Sequence, residues 1–150
     1  MNKNSISAKL SLCALIFFLC FLCLYSCDKK KEGKVIVIET EYFVVMDTKH
    51  TSSLNAKGKI RNVGEVDVRN VIVTGDCKNC SEVIIGGQWF VNRDIEKRDE
   101  QISRIPYLGV GEEADFDFQG IAFYYIKNNM PAETIPDQIQ VYIDSFESVN

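Results

Sequence analysis

From Val35 onward the chain keeps a two-residue rhythm, and no window of it keeps a helical one. Leu54, Ala56, Gly58 and Ile60 alternate with Asn55, Lys57, Lys59 and Arg61. Successive side chains on a strand point to opposite faces, so this segment has one apolar face and one largely basic face. A chain with this pattern must bury one side of a sheet against something else. With no amphipathic helix in the sequence to cover it, a second sheet must do so.

The rest of the chain repeats the pattern in short pieces. Val35–Ile38 and Tyr42–Val45 are β-branched and aromatic, with Glu39 and Glu41 between them. Val66 to Arg69 alternates, Asn70 breaks the phase, and Val71–Val73 resumes, which predicts a bulge or kink. Ser81–Ile85 reads as a short strand closed by Gly86-Gly87, with Gln88–Val91 pairing back as a hairpin. Asn92–Gln101 is mostly charged and reads as an exposed loop with room for one helical turn. Between Ala114 and Phe118, Phe116 and Phe118 face in and Asp115 and Asp117 face out. Ile121–Ile126 reads as a buried strand, Lys127–Asp137 as a loop, and Ile139, Val141 and Ile143 mark the last strand. Short strands separated by turn signals predict an all-β antiparallel sandwich of about seven strands.

The first residues have a different character. Met1–Lys9 is short and basic, Leu10–Ser26 runs 17 residues without a charge, and Asp28-Lys29-Lys30-Lys31-Glu32 follows at once. This is the layout of a secretory signal. A retained signal anchor is the alternative, although the apolar run is slightly short for a relaxed membrane span. Leu24-Tyr25-Ser26-Cys27 resembles the lipobox of bacterial lipoproteins: an aliphatic residue, a tolerant position, a small residue and a cysteine. The resemblance implies diacylglycerol on the Cys27 sulfur, cleavage before Cys27 and an acylated new amino terminus. It also implies a place in the cell envelope, on the inner or the outer membrane. Stable anchoring needs two or more acyl chains, and a diacylglyceryl cysteine supplies them at one residue. The organisation is then a signal peptide over 1–26, a lipidated cysteine and charged tether over 27–34, and the sandwich over 35–150.

A second resemblance covers most of the sandwich. Ala56-Lys57-Gly58-Lys59-Ile60-Arg61-Asn62-Val63-Gly64 and the later Leu108-Gly109-Val110-Gly111-Glu112 turn resemble segments of bacterial immunoglobulin-like modules of the FxLYD and CARDB types. Gly75–Cys80 stands where the F-x-L-Y-D signature would fall. The resemblance implies an immunoglobulin-like sandwich that binds or spaces and carries no catalytic residue.

Charge narrows the partners. The whole chain carries −4, and loss of Lys3 and Lys9 with the leader leaves the mature part near −6. An acidic domain argues against nucleic acid, which needs a basic face to displace counterions. The partners expected are the membrane, through the lipid, and another envelope protein. No cofactor is expected beyond the lipid itself.

Cys77-Lys78-Asn79-Cys80 is the sharpest local motif, and it has three readings. One is a structural disulfide in an oxidising compartment. Another is a redox dithiol, although nothing nearby reads as the helix that activates such a thiol. The third is half of a zinc site, which would need ligands from a second chain, since His50 is the only histidine. A single histidine also leaves no base for a Ser/His/Asp set. Glu112, Glu113, Asp115 and Asp117 read as a solvated face, with weak Ca²⁺ binding as the alternative. No catalytic or metal-binding residue is assigned. The expected interaction surface comprises the Cys77/Cys80 turn, Trp89, and the basic residues Arg93, Lys97 and Arg98 of the charged loop.

Overall fold

The computed structural model describes residues 31–93, 96–127, 132 and 134–149. The chain divides into units 1–30 and 31–150, and the structure that follows is that of the second. Among the described residues seven strands form: β1 (Val35–Thr48), β2 (Thr51–Asn62), β3 (Val68–Cys77), β4 (Trp89–Phe90), β5 (Ile102–Leu108), β6 (Glu113–Tyr125) and β7 (Ile139–Ser148). They make two antiparallel sheets, ordered β1-β2-β6-β4 and β5-β3-β7. A single core joins them, with Leu54 and Ile60 from β2, Val71 and Val73 from β3, Leu108 from β5, and Phe116 and Phe118 from β6. This is the two-layer solution that the alternation demands.

Local chemistry sets the details. Gly58 lies where β2 passes under the Phe116 ring; a methyl group there would collide with the Glu39 carbonyl and stand 2.8 Å from that ring. The two apolar pieces expected at the start are one strand, β1, with a bulge between Val37 and Glu39. Ala114–Phe118 and Ile121–Ile126 likewise belong to one run, β6 extending to Tyr125. Gly120 (φ 73°) sits at its bulge, a left-handed conformation that glycine adopts without strain. The phase change at Asn70 is real: its φ is 53°, and the β3–β7 register shifts beside it. Phe116 and Phe118 face the core while Asp115 and Asp117 face solvent. Pro106 lies on the edge strand β5, where its missing N–H costs no ladder bond.

The expected hairpin of Ser81–Ile85 with Gln88–Val91 does not form. Trp89 and Phe90 pair with Tyr124 and Phe123 of β6 instead, and only an isolated bridge links Ser81 to Phe90. The aromatic side chains favour this choice, with Trp89–Tyr124 ring centroids 5.4 Å apart and Phe90–Phe123 centroids 6.1 Å apart. Meanwhile Ser81 Oγ both donates to Val83 O (2.7 Å) and accepts from Val83 N (3.0 Å). Val83–Ile85 is left as a loop despite its β-branched composition.

Candidate functional site

The two ends of the sandwich are built differently. At one end the incoming chain is docked. Glu32 O accepts from Glu65 N (2.9 Å), Gly33 N donates to Ser148 Oγ (3.1 Å), and Lys34 O accepts from Val63 N (2.7 Å). Asn62 is fully buried there. Its Nδ2 donates to Val66 O (2.9 Å) and Leu108 O (3.2 Å), and its Oδ1 accepts from Gly64 N (3.0 Å). Asp67 accepts from the Tyr107 hydroxyl and from Val110 N (2.9 Å). These two donors hold the Asp67 carboxyl below its ordinary range, the Tyr107 bond contributing more.

The opposite end carries the features singled out in the sequence. Cys77 closes β3 and forms a disulfide with Cys80, their Cα atoms 5.5 Å apart. Cys77 is buried in the core, and Cys80 packs half-buried against it. The two sulfurs are bonded, a state that a structural disulfide and the oxidised form of a redox dithiol share. Cys77 Sγ is buried, so thiol exchange would have to take place at the half-buried Cys80.

Beyond the disulfide, Val83, Ile84 and Ile85 are 65%, 66% and 45% exposed. Three consecutive bare β-branched residues on a loop are unusual, because isolated exposed apolar residues are the norm. Their root is held by the disulfide, by the Ser81 turn and by Gly87 N donating to Tyr125 O (2.9 Å). Met46, Tyr125 and Ile135 are exposed at the same end. His50 stacks on Tyr125, with centroids 6.5 Å apart.

The basic residues of the charged loop turn toward their own chain. β5 begins opposite Thr74, so the last residues of β3 have no strand neighbour on that side. Arg93 Nη2 donates to Cys77 O (3.0 Å), and Lys97 Nζ donates to Gly75 O and to Thr74 Oγ1 (3.0 Å). Two cationic side chains thus complete the strand edge where β5 stops. Arg93 also pairs with Glu82 (2.9 Å) and Asp76 (3.4 Å). Burial lowers the Lys97 pKa; Asp76 and Asp144 oppose that shift, and Arg93 adds to it. A cleft of about 370 Å³ remains between loop and sheets, lined by Asp76, Arg93, Lys97, Ile121 and Tyr142. Trp89 Nε1 donates to Thr134 O (2.8 Å), so its polar edge is engaged within the chain. Arg98 stays at the surface, paired with Glu100 (3.0 Å) and lying over the Phe123 ring.

Of the surface expected from sequence, Trp89, Arg93 and Lys97 make polar contacts within the chain, and Arg98 faces outward. The Val83–Ile85 tip was not expected. Its only sequence signal is an apolar triplet without alternation before Gly86-Gly87. Cys27 lies outside the described residues. Among those described, no three His, Cys, Asp or Glu side chains gather as metal ligands. No protein-family model, no curated protein and no solved structure matches the chain.

Proposed function

We propose that this chain is a lipid-anchored envelope lipoprotein whose immunoglobulin-like sandwich is a non-catalytic binding module, held by an acylated Cys27. The observation that carries the reading is the opposition of the two ends. The chain enters at Glu32–Lys34, and the apolar tip Val83–Ile85 lies at the other end of strands as long as the 14 residues of β1. At about 3.3 Å per residue, β1 spans roughly 46 Å. The reading assigns the tip to contact with another envelope protein, on a root pre-ordered by the disulfide. Such pre-ordering lowers the entropic cost of binding.

The test is the intact mass of protein extracted from membranes, before and after reduction and alkylation. A mass of residues 27–150 plus acyl chains, with alkylation only after reduction, is the expected result. A mass that retains residues 1–26 and carries no lipid overturns the anchor.

A further inference from the structure

We propose that the free edge of β1 accepts an extended basic segment of another protein as an added strand. This goes beyond the tethered-tip reading and does not depend on it. β1 is the end strand of its sheet. Among the described residues, the backbone hydrogen bonds outside the ladders include none to Val35–Thr48. An unpaired edge of this length is a template for another strand; the bulge after Val37 and the charges of Glu39 and Glu41 blunt it against a strand of like charge, which leaves one of opposite charge over residues 39–48.

What the edge selects for is written in three strands. The register sets Glu39 of β1 opposite Lys59 of β2, which lies opposite Asp115 of β6. Two residues along, Glu41, Lys57 and Asp117 repeat the order. All six side chains are exposed on one face, and Lys57 Nζ stands 3.2 Å from Glu41. Each row thus reads acid, base, acid, and it ends on a carboxylate at the open edge. A next strand with basic residues at alternate positions would continue both rows. Opposite charges directly across a sheet stabilise it, and like charges destabilise it. Exposed apolar residues flank the acids, with Ile36 and Ile38 on one side and Val44 and Val45 on the other. The complementary segment is therefore basic-x-basic between β-branched residues. A second copy fits poorly. Paired antiparallel about Thr40, it would set Glu39 against the copy's own Glu41.

The test uses the full chain in detergent and the peptide Val-Ile-Lys-Thr-Lys-Ile-Val, read by amide hydrogen exchange. The peptide is expected to slow exchange at alternate amides of β1, and the same peptide with glutamates for lysines to have no effect. The Glu39→Gln/Glu41→Gln variant, checked for an unchanged circular dichroism spectrum, should bind the lysine peptide about tenfold more weakly. No slowing in β1, or equal binding of both peptides, would overturn the proposal. So would protection of β1 that grows with protein concentration alone, which would assign the edge to a second copy. None of these readouts involves the lipid or the tip, so this inference and the anchor reading fail separately.

Discussion

The docked end and the far end of the sandwich are closed by opposite means. At the docked end, polar side chains close the loops onto their own backbone. Asn62 alone satisfies one N–H and two carbonyls, and Asp67 ties Tyr107 and Val110 together. At the far end a covalent link and two cationic caps do the holding, and the loop they hold presents bare apolar side chains. Internal closure at one end frees the other for contact. The contrast predicts that substitutions at the docked end act on stability, and those at the tip on association.

The largest effect should come from Asn62→Ala. It leaves the buried Leu108 carbonyl and the half-buried Gly64 N–H and Val66 carbonyl short of a partner, at about 1–3 kcal/mol for a fully buried group and less for the other two. Relaxation will recover part of that, so a loss of about 3 kcal/mol in urea unfolding is expected. A loss below about 1 kcal/mol would mean that the docked end is not held by this network. Next is the disulfide. Cys77→Ala/Cys80→Ala should cost about 2 kcal/mol on loop-closure grounds. It should also speed hydrogen exchange in residues 78–88 more than in β2, because the link pins that loop directly. Uniform acceleration would break the contrast between the ends.

A smaller effect is expected from acid. The Asp67 carboxyl titrates below its ordinary value in the folded state. Its stabilising contribution is therefore complete above the ordinary aspartate range and is lost as pH falls through that range to the lower folded value. Asp67→Asn should lower the urea midpoint near neutrality, where that contribution is complete, and flatten its dependence on pH in that window. An Asp67 carboxyl resonance titrating at the ordinary value would remove the basis for this.

Much of the architecture was legible because alternation is a direct consequence of strand geometry. Phe116 and Phe118 inward, Asp115 and Asp117 outward, and the break at Asn70 all follow from local pattern. The far end was less legible, for physical reasons. Val83–Ile85 has strand composition, but the Ser81 hydroxyl and the disulfide turn its backbone away, and β6 takes Trp89 and Phe90. Arg93 and Lys97 sit in a run of charge that reads as solvated surface. Their partners are carbonyls exposed because β3 outlasts β5, and a difference in strand ends is tertiary information. The disulfide, in contrast, is one of the readings the C-x-x-C motif offers, because the leader points to an oxidising compartment.

The smallest effect on stability, and the most informative for function, is expected at the tip. Val83→Ser/Ile84→Ser removes apolar surface that touches little of the core, so unfolding free energy should change by no more than about 0.5 kcal/mol. If the tip is a contact surface, a photoreactive residue at position 84 should cross-link an envelope protein in intact cells, and Val83→Ser should weaken that cross-link while the fold is untouched. A stability loss above about 1 kcal/mol would show that the triplet packs in solution. The far end would then be closed internally like the docked end, and the argument that it faces a partner would lose its ground. Unchanged stability with no cross-link would leave the two ends distinct in construction but would count against contact at the tip.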